Sequence, residues 1–156
     1  MFSGCALHIG MEKTGTTSIQ AMMAKNRAVL KEAGYCYSRS LGSQNHVNLV
    51  VYARDDDTSD NQRKRALSNT GLSLANLRAK IASELAEEAS QNAGHKLLLS
   101  NEHLQSRLTN LREKKRLKAL LAPLAGDIDI YLYLRRQDCG SACKIDPSYG
   151  VIGVQK

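Results

Sequence analysis

Tryptophan is absent from the 156-residue chain, phenylalanine occurs once, as Phe2, and proline twice, as Pro123 and Pro147. A core must therefore be assembled from Leu, Ile, Val, Ala and six tyrosines, not from large apolar rings. No apolar run approaches the roughly 18–20 residues that a membrane-spanning helix requires. No basic segment followed by a long apolar stretch stands at the start, so no secretory leader is expected and the chain reads as cytoplasmic. Cys5, Cys36, Cys139 and Cys143 lack zinc-site spacing, since the only close pair has three intervening residues; in a reducing compartment they are expected as free thiols. Aromatic residues are not interleaved with the basic ones in the way a single-strand nucleic-acid platform needs. Asp55, Asp56 and Asp57 are adjacent, and successive residues rarely converge on one ion, so a solvated turn and no metal is the expectation.

What is present is an ordinary globular composition, 42% hydrophobic, in a length suited to one domain with a sizeable core. The net charge of +7 suits an anionic ligand, and nucleic acid has only that charge in its favour. Much of the excess lies in Arg63-Lys64-Arg65 and Arg112 to Lys118, read as solvated helix faces.

The chain is organised around His8-Ile9-Gly10-Met11-Glu12-Lys13-Thr14-Gly15-Thr16-Thr17-Ser18. A short apolar strand, Cys5 to Ile9, precedes the glycines, and a helical pattern from about Thr16 to Ala33 follows, closed by Gly34. In that helix Ile19, Met22, Met23, Leu30 and Ala33 share a face and read as core. Strand, glycine-bearing turn and helix together form a phosphate cradle, because turn and helix N–H groups converge on the anion. Gly10 and Gly15 reproduce the glycine frame of a Walker A loop, but Thr16 stands where its lysine belongs and Lys13 sits inside the loop. A threonine-rich helix cap would explain the hydroxyls alone, and not the lysine and glycines with them.

Further along, Tyr35 to Tyr37 reads as a second short strand, His46 to Ala53 as a short helix, and Asp55 to Gly71 as a surface loop. Leu74, Leu77, Ile81 and Leu85 mark a clear helix within Leu72 to Asn92. His95 to Ser100 is a strand, Leu111 to Leu121 a helix with Asn110 and Glu113 as a capping box, and Asp127 to Leu134 a further strand. Strands alternating with helices predict an α/β fold with a central parallel sheet flanked by helices. Ligands of such sheets bind beyond the carboxyl ends of the strands, so Gly10–Thr17, Ser100–His103 and Arg135–Asp138 are expected on one rim.

Lys13-Thr14-Gly15-Thr16-Thr17 resembles the Lys-[Ser/Thr]-Gly-Thr-Thr loop of sulfotransferases that use 3′-phosphoadenosine 5′-phosphosulfate (PAPS). With Ile9-Gly10 before it and Ser18-Ile19-Gln20 after it, the segment looks most like the bacterial branch of that family. The resemblance implies a P-loop-containing nucleotide-binding fold in which Lys13, Thr14, Gly15, Thr16, Thr17 and Ser18 hold the 5′-phosphosulfate. Lys13 would also stabilise charge on the departing phosphate. Ser100-x-Glu102 resembles the family segment that ends in a catalytic Glu, and His103-Leu104 echoes the variant with a catalytic His. Glu102 is the favoured base, His103 the runner-up and His46 a weaker third, while His8 reads as a packed strand residue. Tyr133-Leu134-Arg135-Arg136 resembles the strand whose arginine binds the donor 3′-phosphate, which assigns that task to Arg135.

The family pattern places a serine eight residues after that arginine, and Cys143 stands there. The resemblance covers Ala6 to about Asp138, so residues 1–138 are read as an incomplete sulfotransferase-like domain and 139–156 as a divergent tail. Family members continue well beyond this point, so a truncated or frameshifted product with its C-terminal part missing is the expectation. The activity implied is transfer of a sulfuryl group from PAPS, without a metal, to a hydroxyl acceptor, with a carbohydrate as one candidate. The alternatives are an inert fragment of such an enzyme and, from another class, a P-loop nucleotide-binding or kinase-like protein.

Overall fold

The computed structural model describes residues 1–12, 14–57, 60–133 and 152–153. Strand β1 (Gly4–His8) lies at the centre of a sheet, parallel to β3 (Lys96–Ser100) on one side and to β4 (Ile128–Leu132) on the other. Strand β2 (Tyr35–Tyr37) pairs in parallel with the outer edge of β3, which completes four parallel strands. The two-residue β5 (Ile152–Gly153) runs antiparallel to β4, giving the order β2-β3-β1-β4-β5. The register sets Cys5 beside Leu97 and Ile128, and Leu7 beside Leu99 and Ile130. Because strand side chains alternate, these residues form one apolar face.

Seven helices surround the sheet among the described residues: α1 (Thr16–Lys25), α2 (Arg27–Glu32), α3 (Asn48–Ala53), α4 (Asn61–Thr70), α5 (Leu74–Gln91), α6 (His103–Arg107) and α7 (Leu111–Leu121). In α5 the buried residues are Leu77, Ile81, Leu85 and Ala89, the four-residue stripe that its periodicity predicts. They join Leu41, Leu49, Val50, Leu97, Leu104 and Leu121 in one aliphatic core. Helix α7 starts at Asn110, whose side chain accepts the Glu113 N–H at 2.9 Å. Glu113 itself is buried, accepting from the Thr109 and Asp55 N–H groups at 3.0 Å each, so the reciprocal bond falls one residue before the cap.

Several expectations need correction. The single helix after the glycine loop is two, because Asn26 leaves the helical conformation and its side chain bonds back to the Met22 carbonyl. Its buried face is also different: Met22 is 53% exposed, Met23 only half-buried, and Thr16 and Gln20 are the buried positions. The stretch read as a surface loop contains α4, whose N–H groups at Gln62 and Arg63 are capped by the Asp60 carboxylate. Asp55 is not solvated; it is buried and clasped by Arg112 at 2.7 Å, Arg116 at 3.2 Å and Asn110 at 2.9 Å.

Arg63 of the first basic run, Arg112 and Arg116 of the second, and Arg78 of α5 do structural work. Arg63, Arg78 and Arg116 donate to the carbonyls of Tyr52, Ala53, Arg54 and Asp55, where the negative end of the α3 dipole emerges. Asp60 pairs with Arg54 at 2.7 Å and with Arg107 at 3.3 Å. Since Arg107 ends α6, this pair fixes the short helix that begins at His103. Of the divergent tail, residues 152–153 lie within the described residues and form β5 at the sheet edge.

Candidate functional site

The loop after β1 does not leave the sheet at once. Ile9 N–H donates to Tyr131 O at 2.9 Å, Met11 N–H to Tyr133 O at 3.2 Å, and Tyr133 N–H to Gly10 O at 2.9 Å. On its other side Asn101 N–H donates to His8 O and Gln105 N–H to Ile9 O. Gly10, at φ +128°, is pressed so closely on the next segment that a Cβ would lie 2.8 Å from the Glu102 carbonyl oxygen. Only glycine suits both that conformation and that approach. Thr14 then donates its hydroxyl to Met11 O at 2.7 Å, tightening the turn.

Helix α1 opens at Gly15, which is left-handed at φ +83° and offers no side-chain cap. The other helices of ten or more residues are capped, by Asp60, Ser73 and Asn110. The first turn of α1 thus has no side-chain cap and no acidic residue to oppose an anion, although the Ser18 N–H donates to Gly15 O at 3.1 Å. Thr16 is buried, while Thr17 and Ser18 are exposed at this opening. Lys13 and Arg135, the two cations assigned to the donor, lie outside the described residues.

The segment after β3 meets this loop because β1 and β3 are neighbours with His8 opposite Ser100. Here the strand order reverses direction, the crevice where open α/β sheets bind ligands. Glu102 and His103 are both at this rim, their side chains 14% and 22% exposed. Glu102 Oε2 accepts from Gln20 Nε2 at 2.7 Å and from Asn45 Nδ2 at 3.0 Å. Its Oε1 lies 3.8 Å from His103 Nε2. The other ring nitrogen, Nδ1, is 2.8 Å from Glu12 Oε1, which also accepts from the Ser106 hydroxyl. The hydrogen bond from His103 is the main reason the Glu12 carboxyl is held below the usual carboxylate range.

Beneath this pair runs a buried polar layer. Gln20 Nε2 also reaches Ser100 Oγ at 3.1 Å, and that oxygen lies 2.8 Å from His8 Nδ1. Burial lowers the pKa of His8, whose ring packs at 4.9 Å against Tyr133. Asn101, fully buried, donates to Asn45 Oδ1 at 2.8 Å and accepts the His103 N–H at 2.8 Å. Asn45, Gln20 and Asn101 therefore fix the direction of the Glu102 carboxylate and the start of α6.

His46 is not an acceptor-side base. Ser100 N–H donates to its Nδ1 at 2.9 Å, so the hydrogen resides on Nε2, which donates to Ser38 O at 3.0 Å. With no exposed surface and its pKa pushed down to about 4 by burial, it is a neutral latch between the 38–46 loop and the end of β3. Glu12, Gln20, Asn45 and Asn101 are the site residues that sequence reasoning missed. Thr16 and Gln20 stand four apart, a polar stripe on an otherwise apolar helix pattern, and that spacing is the signal for Gln20.

None of the family models, curated proteins or solved structures compared with the chain matches it. Among the described residues no helix is long and apolar enough to cross a membrane. Chemically, the rim joins an uncapped helix start able to receive an anion with a carboxylate and an imidazole able to take a proton. That combination suits group transfer from an anionic donor to a hydroxyl.

Proposed function

We propose that the chain is a sulfotransferase-like protein of P-loop nucleotide-binding type that binds PAPS and moves its sulfuryl group to a hydroxyl acceptor. The observation that carries this reading is the direct packing of the glycine loop on the Glu102 carbonyl, which sets donor cradle and candidate base side by side. In the reaction the base takes the acceptor proton as the acceptor oxygen bonds to sulfur. The bond from sulfur to the bridging phosphate oxygen breaks, and 3′-phosphoadenosine 5′-phosphate leaves. Lys13 and the first N–H groups of α1 meet the charge that develops on that leaving phosphate. Arg135 takes the 3′-phosphate, as its motif implies.

Either Glu102 or His103 is the base in this scheme; Glu102 Oε1 and His103 Nε2 lie 3.8 Å apart at the rim. A carbohydrate is the acceptor class we favour. The setting is cytoplasmic, where Cys5 and Cys36 stay the buried free thiols that they are in the structure. Incubation with donor labelled in the sulfuryl group, across a panel of hydroxyl acceptors, tests the reading. Labelled acceptor and an equal amount of 3′-phosphoadenosine 5′-phosphate are expected, with turnover reduced at least ~100-fold in Glu102→Gln or His103→Ala, whichever is the base. Donor binding without transfer to any acceptor would leave the inert reading; Mg²⁺-dependent ATP binding would favour the kinase-like one.

A further inference from the structure

The loop that holds the anion also carries a carboxylate, Glu12, beside the lysine of the motif. A negative charge there opposes an anionic donor, so its presence calls for a reason. The geometry supplies one. Glu12 Oε1 is 2.8 Å from His103 Nδ1, and an ionised carboxylate can only accept a hydrogen bond. The hydrogen of a neutral His103 ring must therefore sit on Nδ1, which leaves the lone pair on Nε2. Nε2 is the nitrogen on the Glu102 side, 3.8 Å from Oε1 and too far for a hydrogen bond to it. Glu102 does not perform the same orientation, because its nearer oxygen, Oε1, stays 3.8 Å from Nε2 while Gln20 and Asn45 hold the carboxylate by Oε2.

We propose that Glu12 is a positioning residue that fixes the tautomer of His103, so that Nε2 presents its lone pair to the acceptor hydroxyl. This rests on the sulfuryl-transfer reading for its purpose, but not for its geometry. The groups facing the ring are Glu12 from the loop after β1 and Glu102 at the start of α6, with Ser106 and Arg107 from α6 acting on Glu12. The arrangement makes the donor loop and the base one unit: the turn that receives the phosphosulfate also aims the imidazole.

The test has two arms, both on the full chain. Long-range ¹⁵N–¹H spectra of the histidine rings, assigned by loss of one signal in His103→Gln, report the tautomer of the neutral ring. Wild type is expected to carry hydrogen on Nδ1 of His103. Glu12→Ala is expected to return the ring toward the form that free histidine favours, with hydrogen on Nε2. The Glu12 side chain is about half exposed, so the variant should fold; Glu12→Gln, nearly the same shape, is the second variant and should give a mixture. An Nε2–H ring in wild type, or one tautomer throughout the series, overturns the proposal.

The second arm separates aim from structure. Glu12→Gln should lower kcat at least ~10-fold through the mis-aimed base while donor affinity stays equal or tightens. Weaker donor binding with unchanged kcat would instead show a loop-building role and overturn it. Absence of turnover in wild type refutes the transfer reading alone, and the tautomer arm then decides for Glu12.

Discussion

Protonating His46 breaks the bond that joins the 38–46 loop to the end of β3, because Nδ1 can no longer accept the Ser100 N–H. The folded ring resists that proton until about pH 4, whereas the unfolded ring takes it near 6.5. Between those values the unfolded chain binds more protons, so stability falls as pH falls. The contribution is complete above about pH 6.5 and exhausted near pH 4. At about 1.4 kcal/mol per pKa unit, moving from pH 7 to pH 4.5 removes about 2 to 2.5 kcal/mol through this one ring. Urea unfolding of wild type and His46→Gln at both pH values measures it. His8, also lowered by burial, adds loss of the same sign in both proteins, so the difference between their pH slopes isolates His46. Gln cannot titrate, and the variant should lose about 2 kcal/mol less across the interval, whatever its stability at pH 7. Equal slopes in the two proteins would refute the latch. Release of the loop when the folded ring takes its proton also withdraws Asn45 from Glu102, so spectra of the site should change near pH 4.

Gly10→Ala forces a Cβ to within 2.8 Å of the Glu102 carbonyl at a φ of +128°, and a loss of about 2–3 kcal/mol is expected, read by thermal unfolding. The same variant should weaken donor binding, since loop and base segment must move apart; unchanged affinity would contradict the close packing. Leu85→Ala empties a fully buried position in α5 and is expected to cost about 2–5 kcal/mol in urea unfolding without altering nucleotide binding.

The four parallel strands were legible to within a residue or two because each is short and bounded by glycine or polar residues, whereas β5, in the stretch read as a divergent tail, was not. Helix α7 was legible to the residue, since Asn110 and Glu113 announce its start. Helix α4 was not, because its stability comes from contacts distant in sequence. It buries an arginine, Arg63, against loop carbonyls and is anchored by Asp60. The same holds for Asp55, whose partners Arg112 and Arg116 lie more than fifty residues away. On α1 the apolar pattern pointed the wrong way: Met22 faces outward while Gln20 turns in to Ser100 and Glu102. Polar burial of that kind follows from the site, not from periodicity. Glu102 and His103 could be chosen from a local motif, but the partner that aims His103 is ninety-one residues earlier and only the β1–β3 pairing reveals it.

In the proposed reaction the Gly10–Ser18 loop receives the phosphosulfate end of a 3′-phosphorylated adenine nucleotide. Calorimetric titration with 3′-phosphoadenosine 5′-phosphate, adenosine 5′-phosphosulfate and ATP, with and without Mg²⁺, tests it most directly. Metal-independent binding with preference for the 3′-phosphorylated nucleotide is expected, lost in Lys13→Ala and in Arg135→Ala. Indifference to the 3′-phosphate, or binding of ATP that requires Mg²⁺, would contradict it.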